Sequence, residues 1–328
     1  MTQLIDHETE RATRIVAAIE EAFASKVVGQ QTLLRSLLVT LVARGHVLME
    51  SVPGLAKTLS ASVLSSAVAA SFSRVQCTPD LLPADIIGTQ VYDPRTSTFS
   101  TQLGPVHAHF VLLDEINRSS AKTQSAMLEA MQERQTTIGG ETHRLPDPFL
   151  VLATQNPIDE EGTYVLPQAQ MDRFLLKEVL EHPSPLEEAQ MLRRMADGGL
   201  RDTRVQPVAS LDDVVFLQSV ADRVHVDEAV LRYIVEIVNV TRNPHAYLAA
   251  DVARSIEHGA SPRGAIAFLQ AARAMAVLAG RDHVLPDDVV GLRHQVLRHR
   301  LILTFEAVAT RVRADDVIDA VFAAVPTP

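Results

Sequence analysis

Two groups of residues in this sequence have the types and spacing to act on a phosphorylated ligand. The first is Ser51-Val52-Pro53-Gly54-Leu55-Ala56-Lys57-Thr58, followed by Leu59. It comes after a short apolar run and opens a helical pattern. A loop in that position turns its backbone N–H groups toward an anion, and the helix N-terminus adds partial positive charge. Lys57 is placed to reach β- and γ-phosphates, and the Thr58 hydroxyl to bind Mg2+. Ser51 and Ala56 stand where a phosphate loop usually carries glycine, so the pattern is imperfect at both ends. Taken alone, the segment also fits an ordinary strand–turn–helix with a capping Lys-Thr.

The second group is Phe110-Val111-Leu112-Leu113-Asp114-Glu115, an apolar run ending in two carboxylates. One carboxylate there can hold Mg2+ beside the Thr58 hydroxyl, and the next can polarise an attacking water. Asp114 is assigned to the metal and Glu115 to the general base. Acidic residues also end strands as plain helix caps. The order of the two groups is what points to hydrolysis of ATP with Mg2+. Asn156, in Gln155-Asn156-Pro157 after another apolar run, is placed to orient water against a γ-phosphate. An Asn before Pro is otherwise a turn residue.

These groups need a scaffold, and the pattern predicts one. Residues 46–50, 72–77, 110–113, 149–153 and 174–179 each read as a short buried strand. Helical patterns at 32–44, 58–70 and 121–133 fall between them. Such alternation predicts an α/β fold with a parallel sheet covered on both faces. After His182-Pro183-Ser184-Pro185 the strand signals stop. Residues 187–196, 211–224, 227–241, 263–279 and 286–298 read as helices. The expected organisation is an α/β nucleotide-binding domain over 1–200, with an N-terminal helix, and an all-helical lid over 201–328. The polar stretch 197–210 is the expected linker, with Gly198-Gly199 as its flexible point. Thr136-Thr137-Ile138-Gly139-Gly140-Glu141-Thr142-His143-Arg144-Leu145 reads as a hairpin with a Gly-Gly turn, and residues 91–104 as a second excursion.

Composition narrows the alternatives. Hydrophobic residues at 47% of a 328-residue chain supply a sizeable core. A formal charge of −10 and the lack of Trp argue against a broad nucleic-acid surface. No apolar run is long and charge-free enough to insert in a membrane. Cys77 is the only cysteine, so no intrachain disulfide forms, which fits a reducing compartment. The first ten residues are polar and acidic, unlike a signal peptide. The expected location is cytoplasmic. His107 and His109 have no third ligand at zinc spacing. Arg293, His294, Arg298, His299 and Arg300 form a basic cluster, by default a solvated helix face and alternatively a contact with a neighbouring subunit.

The motifs taken together resemble an AAA+ ATPase and, within that superfamily, the MoxR family. The resemblance rests on the loop 52–58 and on Leu112-Leu113-Asp114-Glu115-Ile116-Asn117-Arg118. Ser125-Ala126-Met127-Leu128-Glu129-Ala130-Met131 follows, then Ala153-Thr154-Gln155-Asn156-Pro157 and Asp172-Arg173-Phe174. Ser261-Pro262-Arg263-Gly264 and Arg298-His299-Arg300-Leu301 complete it. It implies a P-loop (AAA+) domain followed by a helical lid, with ATP in the cleft between them. It makes Lys57 and Thr58 the Walker A residues, Asp114 and Glu115 the Walker B pair, and Asn156 the polar sensor. Arg173 becomes the arginine finger, acting on a neighbour's nucleotide, and Arg263 the lid sensor that contacts the γ-phosphate. Val28, Gly29 and Gln30 match the segment lining the adenine pocket, and Gln76 the residue that holds Glu115 inactive. The inserted hairpins resemble pore-facing insertions; plain surface hairpins are the alternative. The family implies a homo-oligomeric ring, a hexamer, that remodels or activates other proteins with a partner bearing a von Willebrand A domain. Two other functions stay open at this point: a nucleic-acid-remodelling motor, and a nucleotide-gated scaffold with little turnover.

Overall fold

The computed structural model describes residues 6–52, 54–156, 164, 166–197 and 205–328. Pro53 of the phosphate loop and Gly198-Gly199 of the expected linker lie outside these described residues.

The first region runs α1 (Asp6–Lys26), α2 (Gln31–Val42), β1 (Val47–Glu50), α3 (Lys57–Ala67) and β2 (Phe72–Gln76). It continues through α4 (Pro83–Ile87), a hairpin of β3 (Gly88–Asp93) and β4 (Thr98–Leu103), then β5 (Phe110–Asp114) and α5 (Ala121–Glu133). A second hairpin, β6 (Gln135–Ile138) and β7 (Glu141–Arg144), precedes β8 (Leu150–Gln155), α6 (Gln168–Met171) and β9 (Leu176–Val179). β2, β5, β8, β1 and β9 form one sheet in that order, and every neighbouring pair is parallel. All five expected strands are present, displaced at their ends by a residue or two.

Both faces of the sheet are covered, which is why its strands are apolar throughout rather than alternating. Successive side chains still point to opposite sides. Val47, Met49 and Leu112 join the core built with α1, α2 and α3. Leu48, Val111 and Leu113 join the core on the other face, with Met127, Met131 and Phe174. Cys77 is a packing residue in that second core, and burial pushes its thiol up to about 12.

The second region contains α7 (Pro185–Ala196), α8 (Leu211–Arg223), α9 (Glu228–Arg242), α10 (Pro244–Tyr247) and α11 (Ala250–Ala253). After β10 (Ile256–His258) come α12 (Pro262–Leu278), α13 (Pro286–Val290), α14 (Arg293–Leu297), β11 (Ile302–Leu303), α15 (Phe305–Ala309) and α16 (Ala314–Ala323). Amphipathic spacing drives these helices. In α9, Val230, Tyr233, Ile234, Ile237 and Val238 bury one stripe, and the Asp227 carboxylate caps the Ala229 N–H at 2.8 Å.

Two expectations for this region need correction. It is not purely helical, because β10 and β11 pair antiparallel; strands this short leave no periodicity to read. The helix expected over 286–298 is broken at Gly291-Leu292 into α13 and α14. The region packs directly on the first one: Leu217, Ile237 and Phe268 share a core with Ile19, Leu37 and Leu38. Among the described residues no helix is long and apolar enough to cross a membrane.

Both expected insertions are hairpins. The β6–β7 turn has Gly139 at φ +60° and Gly140 at φ +88°, the two left-handed positions a two-residue turn of this hand requires.

Candidate active site

The strand order sets the site. In an all-parallel sheet every C-terminal end lies on one edge, where ligands of α/β proteins bind. Along that edge stand Gln76 at the end of β2, Asp114 and Glu115 after β5, Asn156 after β8, and the phosphate loop after β1. These residues line one pocket of about 460 Å³ with Gly54, Leu55, Ala56, Lys57, Thr58, Leu59 and Arg74. That volume is within the range of small-molecule sites.

The pocket fits an anion. The first turn of α3 has no side-chain cap, so its N–H groups are open to a ligand. Gly54 sits at φ +91° with open space where a Cβ would be, and phosphate oxygens can approach the backbone there. Burial lowers the Lys57 pKa, and Asp114 and Glu115 oppose that shift; the ammonium faces both carboxylates. Thr58 and Asp114 line the same pocket, and a hydroxyl and a carboxylate are hard-oxygen donors of the kind that suits Mg2+, which takes one or two protein ligands and keeps its other positions for water and phosphate.

Each carboxylate is oriented by neighbours. Thr154 Oγ1 donates to Asp114 Oδ1 at 2.7 Å and accepts from the Glu115 N–H at 2.8 Å. One hydroxyl therefore fixes both acids. Arg74 donates to Asp114 Oδ2 through Nε at 3.2 Å and a terminal nitrogen at 2.6 Å. Glu115 Oε2 accepts from Gln76 Nε2 and from Arg118, both at 3.2 Å. Glu115 is held at φ +58°, a left-handed conformation uncommon for a side-chain-bearing residue. The Gln76 contact sits where the sequence reading expected one. Thr154, Arg74 and Arg118 were not singled out from sequence.

The two departures from the glycine pattern differ physically. Ser51 has no positive φ, whereas Ala56 is at φ +53°. An alanine pays about 1–2 kcal/mol there, partly offset because glycine loses more entropy on folding. Ala56→Gly should therefore raise stability by about 0.5 kcal/mol, a melting-temperature gain of about 1–2 °C. Thermal unfolding checks this, and a clear fall would mean the Ala56 methyl has packing that outweighs its strain.

Not every expected site residue is in this pocket. Val28, Gly29 and Gln30 form the connection from α1 to α2, with Gly29 at φ +71° against the Glu187 side chain of α7. Arg173 and Arg263 line a different groove of about 330 Å³, with Arg44, Arg134, Arg300 and a single acid, Asp172. That groove is at the opposite edge of the sheet. The Leu175 N–H bonds the His46 carbonyl at 2.8 Å, just before β1 begins, while the phosphate loop follows its end. The strand between spans roughly 13 Å. The structure thus brings Arg173 and Arg263 to each other and not to Lys57. The ε-nitrogen of Arg173 is buried with no partner among the described residues.

The basic cluster also departs from expectation. It is not a solvated face. Arg300 and His299 are 4% and 2% exposed, Arg298 is paired with Asp315 at 2.7 Å, and Arg293 and His294 share Asp319. α14 is only five residues long, so the chain turns inward at a point where helical spacing would keep these groups outside.

Comparison with known proteins agrees with this layout. Residues 46–176 match the ATPase family associated with various cellular activities (AAA), and residues 248–321 match the AAA lid domain. The chain is 46% identical to the chaperone MoxR1 of Mycobacterium tuberculosis, over 98% of this chain and 83% of that protein. It is 32% identical to the protein MoxR of Paracoccus denitrificans, over 94% of this chain and 95% of that one. A crystal structure of a protein assigned as an ATPase from Cytophaga hutchinsonii superposes with a TM-score of 0.91 at 40% identity, covering 98% of this chain and 97% of that one.

Proposed function

The chain belongs to the MoxR family of AAA ATPases, and from that premise we propose that it hydrolyses ATP in a ring of its own copies to remodel or activate other proteins. The observation that carries this reading is the convergence of Lys57, Thr58, Asp114 and Glu115 on one pocket at an uncapped helix N-terminus.

In this reading the open N–H groups of α3 and the Lys57 ammonium bind the phosphates. Thr58 and Asp114 would hold a magnesium ion, which would supply charge neutralisation at the phosphate oxygens. Glu115 takes the proton of the attacking water, and Asn156 orients that water. Val28, Gly29 and Gln30, with the loop residues 53–59, complete the nucleotide site. Arg173 and Arg263 serve the nucleotide of a neighbouring copy. Their position at the far edge of the sheet supports action between subunits for both, so the lid arginine is assigned to the neighbour's γ-phosphate rather than to its own chain's. A six-membered ring accommodates this arrangement, and a protein with a von Willebrand A domain is the proposed partner. The β3–β4 hairpin exposes Val91, Tyr92, Phe99 and Leu103, apolar surface suited to an unfolded client segment.

Binding of a fluorescent ATP analogue tests the pocket. The parent should bind in the micromolar range, and Lys57→Ala should bind at least about tenfold more weakly, because a charge-assisted phosphate contact is lost. Equal binding by the two would remove the pocket from consideration.

A further inference from the structure

A buried arginine of the lid region, Arg300, directs its donors to the loop that carries Arg173. Arg300 Nε donates to Asp172 Oδ1 at 2.9 Å. One terminal nitrogen donates to the Phe174 carbonyl at 2.7 Å and the Asp172 carbonyl at 3.4 Å. The other donates to the carbonyls of Leu175 at 3.1 Å and Val296 at 2.6 Å. His299 Nε2 contacts the Phe174 carbonyl at 3.0 Å, and its own carbonyl accepts from Gln168 at 2.5 Å. The backbone on both sides of Arg173 is therefore held by side chains from the end of α14.

Asp172 carries the connection onward. Its Oδ2 accepts from Ser261, the N-cap of α12, at 2.7 Å. The same oxygen is 3.9 Å from the guanidinium of Arg263, two residues later. One carboxylate thus ties the loop of Arg173 to both lid segments, and to the helix start that presents Arg263. Asp172 and Arg300 are 12% and 2% exposed at their side chains, so this pair is shielded from water, and a buried guanidinium with its donors satisfied is rigid; the Arg263 side chain is half exposed.

We infer that Asp172 and Arg300 are positioning residues that join the loop carrying Arg173 to the start of α12, which carries Arg263, as one anion-binding face across the boundary between the two regions. The inference rests on the shared-site reading above and extends it. Within one chain the lid end and the finger loop move together, so a change in lid angle is delivered to the neighbour's nucleotide as a displacement of both arginines. Neither Asp172 nor Arg300 needs to touch that nucleotide.

The test uses complementation between copies of the full chain. Asp172→Asn keeps the shape of the side chain and removes its charge. Ser261→Ala leaves the Asp172–Arg300 pair intact and cuts only the tie to α12. Asp172→Asn should turn over ATP about tenfold or more slowly, since small misplacement of a reacting group is costly, while its affinity for a fluorescent ATP analogue stays within twofold of the parent. Ser261→Ala should show a smaller loss of the same kind. Mixing either variant with Glu115→Gln chains should restore turnover, because sites form with an intact base from one copy and an intact arginine face from the other. Arg173→Ala mixed with Glu115→Gln is the control. If the control regains turnover but Asp172→Asn does not, or if both folded variants match the parent alone, the positioning role is wrong. If the control itself fails, the shared-site reading falls and takes the inference with it.

Discussion

Arg173→Ala should lose ATP turnover by about 10³-fold or more while its own pocket still binds nucleotide. The argument is geometric. Arg173 lies before β9, at the sheet edge opposite Lys57, so it cannot neutralise charge in its own chain's pocket. Its guanidinium lines a groove with four other arginines and one aspartate; Arg44 and Arg300 are paired with Asp222 and Asp172, while the Arg173 ε-nitrogen has no partner among the described residues. In the proposed shared site that nitrogen would meet a neighbour's triphosphate, and a planar guanidinium matches the oxygens on which charge develops during phosphoryl transfer. A site divided between copies also makes activity depend on assembly. Specific activity of the parent should rise with protein concentration and then saturate, whereas Arg173→Ala stays low throughout. Turnover that ignores both concentration and Arg173 would remove the shared site, leaving a self-contained pocket.

The residues that converge on the pocket of Lys57 were legible in the sequence because each sits at the end of a strong apolar pattern. Lys57 follows β1, Glu115 follows β5 and Asn156 follows β8, and a parallel sheet puts all strand ends of one kind on one edge. Sequence order and strand polarity are enough to bring them together. The placement of Arg263 was different. Its motif was readable, but which edge of the sheet it serves depends on how α12 packs against α2 and α8, which no local pattern encodes. The packing follows from one core shared by Leu37, Leu217 and Phe268. The basic residues at 298–300 misled for the same reason: charge suggests solvent, and only long-range partners such as Asp172 and Asp315 pay for burial. Thr154, which orients both carboxylates, is one hydroxyl in a strand of apolar residues, and nothing local distinguishes it from a packing threonine.

Glu115→Gln should reduce turnover by about 10²–10⁴-fold, the usual span for removing a general base, with nucleotide binding at or above the parent's. The substitution is close to isosteric, so the left-handed backbone at Glu115 and its N–H bond to Thr154 at 2.8 Å persist. What is lost is the ability to take a proton from water. A more favourable balance of charge also follows, since one carboxylate fewer faces the incoming phosphates beside Asp114. The measurement is a pair: steady-state phosphate release, and equilibrium binding of a labelled ATP. Parental values in both would mean that Glu115 does no chemistry and that the chain acts as a nucleotide-gated scaffold. The contact from Gln76 at 3.2 Å sharpens the interpretation. Glu115 Oε2 is shared between Gln76 and Arg118, which restrains the orientation of the carboxylate while Oε1 takes no part in either contact. Glu115→Gln removes the proposed base whatever its orientation, which separates the chemistry of the carboxylate from any control of its position by Gln76.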